Sequence, residues 1–196
     1  MKRKFSTLIA VIVIVLILVG CGASQYNSIV EQDEAVSTAW ANVETQYQRR
    51  ADLIPNLVNT VKGYAKHEEN TFKEVTEARA KATQITVDPS RLTPEKLKEY
   101  QATQGELSAA LGKLIAVQEN YPQLKADQHF SDLQAQLEGT ENRINESRTR
   151  YNEAVQSYNL KVRQFPINLL AKMMGFEQKT KFEAQSGAEK APEVKF

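Results

Sequence analysis

Cysteine occurs once in this chain, at Cys21, so no internal disulfide can form and a cysteine-based metal site has no ligand set. Histidine is nearly as scarce. His67 opens the run His67-Glu68-Glu69, but residue 71, where a zinc-protease helix needs its second histidine, is Thr71. His129 stands alone beside Phe130 and reads as a first-turn helix residue. Eight glycines and six prolines thin out over long stretches, which argues against a sheet-rich domain with many tight turns. Gly63, Gly105, Gly112 and Gly139 are isolated, so there is no phosphate-cradling loop, and Gly-x-Ser-x-Gly is absent. Neither sign of charge prevails: Lys+Arg 25 against Asp+Glu 24 leave +1, interspersed along the chain. That is not the basic stripe of a nucleic-acid binder. The expectation is a non-enzyme with no cofactor, no metal and no nucleic-acid partner.

What the chain does have begins at its N-terminus. Lys2, Arg3 and Lys4 precede an uncharged apolar run that ends in Leu18-Val19-Gly20-Cys21. A positive start, an apolar centre and a small residue before a break are the parts of a secretory signal. The Leu-Val-Gly-Cys ending resembles the lipobox of bacterial lipoproteins, which implies cleavage after Gly20 and a lipid on Cys21. A retained transmembrane helix is the alternative: Phe5 to Gly20 would span about 24 Å, short of a bilayer core of about 30 Å but within what local thinning accommodates. Either way the charge asymmetry points outward. No Lys or Arg follows the apolar run until Arg49, whereas Glu31, Asp33 and Glu34 lie just downstream. The positive-inside bias therefore sends the body to the extracytoplasmic side, periplasm or cell surface.

The body reads as helix. Stepping by sevens gives Tyr26, Asp33, Trp40, Tyr47, Ile54 and Val61; three residues later come Ile29, Val36, Val43, Arg50, Leu57 and Tyr64. Only Asp33 and Arg50 break the apolar rule. The stripe continues through Phe72, Val75, Ala78 and Ala82, which predicts one long helix bent at 52–55, where Pro55 removes a backbone hydrogen bond. Asp88-Pro89-Ser90 marks a turn, and Thr93 with Pro94 opens a second helix. Its stripe is Leu97, Tyr100, Leu107, Leu111, Leu114 and Ile115, closed by Pro122. A third helix starts near Asp127 and carries Phe130, Leu133, Leu137, Ile144, Tyr151, Val155, Tyr158, Val162 and Phe165 up to Pro166. A short fourth helix, Ile167 to Met174, stops at Gly175. The expected fold is all-α, an elongated antiparallel bundle of three long helices plus a short fourth, with a leader or anchor at 1–20, the bundle at 21–183 and a disordered tail at 184–196.

Polar residues close to the stripes are the candidate structural or interaction positions: Arg49, Arg50, Asp52 and Pro55 at the bend, Glu141 and Arg148 on the third helix. A buried arginine needs a partner, so Arg50 is expected either to pair with Glu141 or another third-helix carboxylate, or to snorkel to solvent. Asn56 is placed to satisfy the carbonyl that Pro55 frees. The pairs Tyr151-Asn152 and Tyr158-Asn159, one heptad apart, suggest tyrosines packed in the stripe with asparagines bonding a neighbouring helix. Met173, Met174 and Phe176 form an apolar tip that either folds onto the bundle or faces a partner or membrane surface.

The blocks Gln48-Arg49-Arg50-Ala51-Asp52-Leu53-Ile54-Pro55-Asn56-Leu57-Val58, Val61-Lys62-Gly63-Tyr64, Leu137-Glu138-Gly139-Thr140-Glu141-Asn142-Arg143-Ile144 and Tyr151-Asn152 together resemble the LemA family of bacterial proteins. The resemblance runs over about residues 26–183. It implies an N-terminally membrane-attached antiparallel helical bundle with no established enzymatic activity. Many such chains carry a plain transmembrane segment, and some are proposed to keep the body cytoplasmic; the lipobox and the charge asymmetry depart from that. The functional expectation is a membrane-anchored scaffold or adaptor with protein partners. A membrane-organising protein acting on lipid is the alternative, and it requires exposed apolar or basic surface at one end of the bundle.

Overall fold

The computed structural model describes residues 2–183, so the expected disordered tail at 184–196 lies outside the described residues. Among the described residues six α-helices follow one another: α1 Lys2–Tyr64, α2 Glu69–Gln84, α3 Pro94–Ala116, α4 Pro122–Lys125, α5 Gln128–Arg163 and α6 Ile167–Met173. The same residues contain no strand. The all-α bundle stands, but the first stretch divides. A turn at 65–68 separates α1 from α2, so four helices of the bundle are long where three were expected. Ala65 is fully buried in that turn, with its N–H on the Val61 carbonyl and its own carbonyl accepting from Glu68 N at 3.2 Å.

The hairpin folds α2 back along α1. Arg79 reaches Ala51 and the Lys62 ammonium lies 5.3 Å from the Phe72 ring centre. Next, α3 reverses again, with Lys81–Glu106 at 3.6 Å and Lys113–Glu74 at 2.7 Å lacing it to α2. Thr93 Oγ1 accepts from Lys96 N at 3.3 Å and Pro94 occupies the first helical position. A 3-10 turn, Val117–Asn120, follows, and Pro122 then opens the one-turn α4 as well as marking the end of the second stripe. Asp127 caps α5 through Phe130 N at 2.8 Å while its other oxygen accepts from the Tyr64 hydroxyl at 2.7 Å. One carboxylate therefore starts α5 and ties it to the end of α1. From there α5 runs antiparallel to α1, and that pair forms the spine.

The apolar stripes bury as two cores. The one near the hairpin turn joins Ile54, Leu57 and Val61 of α1 to Phe72 and Val75 of α2, Leu107 and Leu114 of α3, and Phe130 of α5. The other joins Ile29, Val36, Trp40 and Tyr47 of α1 to Leu97, Tyr100, Ile144, Tyr151, Val155 and Tyr158. Beyond Tyr26, which still meets Phe176, α1 leaves the bundle toward the N-terminus, and Ile12 to Ile17 and Val19 are about half exposed or more. This N-terminal stretch is long and apolar enough to cross a membrane.

Candidate functional site

Pro55 sits inside α1 without interrupting it. An interior proline strips the carbonyl four residues back of its helical donor, here Ala51 O. The expected remedy, Asn56, is not used: its side chain is exposed. Arg79 of α2 supplies the donor instead, Nε to Ala51 O at 2.8 Å. The defect in one helix is thus mended by its neighbour, and the same bond fixes the register of the hairpin. Only the placement of α2 makes this possible, which is why a reading that carried α1 through to Ala82 had no use for Arg79.

One turn before the proline, Arg50 is 2% exposed. Its Nη1 donates to Glu141 Oε2 at 2.9 Å and to Ser108 Oγ at 2.8 Å. Its Nη2 donates to Gln104 Oε1 at 2.7 Å and to the Gln104 carbonyl at 3.3 Å. Gln104 in turn donates to the Ala82 carbonyl at the end of α2, at 3.4 Å. The Tyr47 ring lies under the guanidinium at 5.1 Å. Arg50, Gln104 and Thr140 are the buried polar residues among those described, and they fall between the two apolar cores. Glu141 keeps 47% of its side chain in water, so the pair is half-desolvated rather than sealed. Such a layer adds little net stability over apolar side chains, but it penalises any register that leaves the guanidinium unpaired.

Of the other marked residues, Arg49 and Asp52 line one open cavity of about 740 Å³ with Tyr47 and Gln104. Arg49, Asp52 and Pro55 face solvent, and Asp52 accepts from Gln48 Nε2 at 2.7 Å. Arg148 lies on the same side as Arg50, next to Tyr47, and its guanidinium covers the Phe182 ring at 4.8 Å. Burial holds the Tyr47 phenol above its ordinary pKa, with the charges of Arg148 and Arg50 opposing it. A groove of about 470 Å³ between α3 and α5 takes in Arg50 and Glu141 but neither Arg49 nor Arg148. Among the described residues no three His, Cys, Asp or Glu side chains gather as a metal site. His67 and His129 are both exposed and far apart in the chain, one in the hairpin turn and one in the first turn of α5.

The Tyr-Asn pairs have a different use from the one expected. Their partner is an extended strap after α6 rather than a helix. Gly175, at φ +78°, ends α6 in a conformation that favours glycine and turns the chain back along α5. Asn159 Nδ2 donates to the Lys179 carbonyl and Lys179 N to Asn159 Oδ1, both at 2.8 Å. Asn152 repeats the pattern on Phe182, at 3.0 and 2.8 Å. The match is metric: seven helical residues rise about 10.5 Å, and three extended residues span about 10 Å. Tyr151 adds a bond from its hydroxyl to Thr180 O at 3.1 Å. Phe182, 6% exposed, then stacks on Trp40 at 5.7 Å and meets Tyr151 edge-on at 5.3 Å. Lys179 closes the other exception in the first stripe, pairing with Asp33 at 2.7 Å.

These features define a class: an antiparallel helical bundle carried on a long N-terminal apolar helix, with a buried arginine bonded across its helices. The LemA family model matches residues 39–196, and the chain belongs to the LemA family. It is 27% identical, over 81% of its length, to Magnetosome protein MamQ 2 of Paramagnetospirillum magneticum, of which it covers 65%. It is 25% identical over 79% of its length to Magnetosome protein MamQ of Magnetospirillum gryphiswaldense, covering 63%. Protein LemA of Metamycoplasma hominis is 23% identical over 81% of the chain and is covered to 68%. The chain therefore spans just under two thirds of the length of the magnetosome relatives.

Proposed function

We propose that this protein is a membrane-anchored, non-catalytic scaffold or adaptor of the bacterial envelope, with its body on the extracytoplasmic side and protein partners at the bundle faces. The observation that carries the reading is the continuity of α1. One helix runs unbroken from the exposed apolar residues Ile12 to Ile17 and Val19, past Cys21, into the buried stripe that begins at Ile29, so a retained span or a lipid on Cys21 would hold the body through the same helix. A bundle mounted this way has no flexible linker between anchor and body, so the anchor sets the position of every surface. Of the polar residues marked near the stripes, Arg50 and Glu141 are engaged between helices, Arg50 also with Ser108 and Gln104.

Cys21, exposed on α1, is the proposed lipid attachment point. Metabolic labelling with a palmitate analogue should mark the native chain and fail on Cys21→Ala; absence of label on both would assign the anchor to a retained span instead. The adaptor role itself is tested by cross-linking in cells with the full chain, followed by mass spectrometry. A reproducible protein partner that contacts the bundle is the expected result. Repeated recovery of no partner, or turnover of a small molecule by the purified full chain, would overturn the reading.

A further inference from the structure

The bundle end nearest the apolar segment carries a surface that an adaptor role does not explain. There α6 lies beside the first turns of α1 after Cys21. The Phe176 ring meets Tyr26 at 5.8 Å, and Ala171 of α6 is fully buried. Tyr26 is only five residues, about 7.5 Å of rise, beyond Cys21. From this end Phe165, Leu169 and Met173 project with 82%, 61% and 85% exposure. Leu169 and Met173 are one turn apart on the face of α6 opposite buried Ala171, so the short helix packs one side and leaves an apolar one outside. The plainer expectation for this tip, burial against the bundle, holds for half-buried Phe176 and fails for Met173.

Charge around the tip is one-sided. No Asp or Glu occurs between Glu153 and Glu177, a stretch that holds Lys161, Arg163 and Lys172, and α1 has no carboxylate before Glu31. Arg163 and Lys172 are exposed and form no ion pair with any described residue. Glu177, next along the chain, is exposed, and Asp33 is already held by Lys179. Apolar side chains left in water, cations among them and no carboxylate between match the interfacial layer of a bilayer with anionic headgroups. The patch lies at the bundle end where Phe176 meets Tyr26, from which α1 runs on into its exposed apolar stretch, and this favours lipid over a protein partner as its occupant.

We propose that Phe165, Leu169 and Met173, with Arg163 and Lys172, seat the base of the bundle on the anionic surface of the membrane that α1 enters. This goes beyond the adaptor reading: the body would make a second, independent contact with the bilayer. The full chain suits a direct test because its single tryptophan, Trp40, is 1% exposed and about 21 Å of helix rise beyond Tyr26. Full-length Met173→Trp is reconstituted in phosphatidylcholine–phosphatidylglycerol vesicles with and without brominated acyl chains. Since interfacial side chains reach ~5–10 Å below the headgroup boundary, the added tryptophan should lose about half its emission to bromine. The native chain should lose little. Reversing Arg163→Glu and Lys172→Glu in the same protein should remove most of that quenching. Equal emission of Met173→Trp in both vesicle types would overturn the proposal and leave the tip free for a protein. Quenching indifferent to the charge reversal would overturn the anionic-surface assignment. Leu169→Trp, likewise at an exposed position, repeats the measurement if Met173→Trp fails to fold as judged by circular dichroism. Cross-linking to a protein partner reads the adaptor role separately, so either idea can fail without the other.

Discussion

Arg79→Met should weaken the bundle by an amount that Pro55 sets. Methionine keeps most of the buried stem and removes the donor, leaving Ala51 O without Nε at 2.8 Å. Ala51 is 2% exposed, so water is a poor substitute. A lost hydrogen bond from a charged donor to a buried carbonyl costs roughly 1.5–3 kcal/mol. With a urea dependence of about 2 kcal/mol per molar for a domain of this size, the midpoint should fall by about 1 M. Pro55→Ala changes the outcome, because the introduced alanine would donate its own N–H to Ala51 O. The single substitution should stabilise the protein, by less than the ~3 kcal/mol of an interior proline, since Arg79 already mends part of the loss. Adding Arg79→Met to Pro55→Ala should then cost under about 1 kcal/mol, giving a coupling of at least about 0.5 kcal/mol. Urea titrations of the four proteins by circular dichroism, at constant slope, measure it. Equal costs of Arg79→Met with and without Pro55 would refute the argument that α2 repairs the proline defect in α1.

The polar layer should be sensitive to truncation and tolerant of replacement: Arg50→Ala is expected to cost about 3 kcal/mol, and Arg50→Met clearly less, in the same titration. Asn152→Ala and Asn159→Ala each remove two bonds to the strap, at about 1 kcal/mol per bond. Amide exchange at Lys179 and Phe182 should accelerate in both variants, and unchanged protection would show that Phe182 alone holds the strap. Burial pushes the phenols of Tyr151 and Tyr158 up to about 12. A raised folded pKa means stability is intact below the ordinary tyrosine value of about 10 and is lost as pH rises from there toward 12. Ultraviolet titration should therefore show these two ionising together with alkaline unfolding, and smooth titration near 10 of a still-folded protein would contradict it.

Most of the architecture could be read from spacing, because each long helix buries a seven-residue stripe. The break at 65–68 could not. The stripe of α2, Phe72 to Ala82, continues the register of α1, and a hairpin of two in-phase amphipathic helices has the same period as one continuous helix. Arg79 and Gln104 lost their roles with it, since both act across contacts that exist only once α2 turns back. Asp33 and Arg50 were visible as faults in an apolar stripe. Their partners were harder: Glu141 lies on a helix whose register with α1 was unknown, and Lys179 lies in an extended segment with no periodicity at all. The asparagines at 152 and 159 announced a spacing of about 10 Å, but a helix-only reading offered no extended chain to fit it.

The unbroken course of α1 has a dimensional consequence. From Cys21 to Tyr64 the helix rises about 65 Å, and the spine it makes with α5 is locked at one end by Tyr64–Asp127 and at the other through the strap, where Lys179 pairs with Asp33 of α1 and its backbone bonds Asn159 of α5. The protein is in effect a ruler. The turn at Ala65 is held at a fixed distance along α1 from Cys21, so a molecule that engages this turn does so at one height above that residue, and lengthening or shortening α1 by whole turns would move that height in steps of about 5.4 Å.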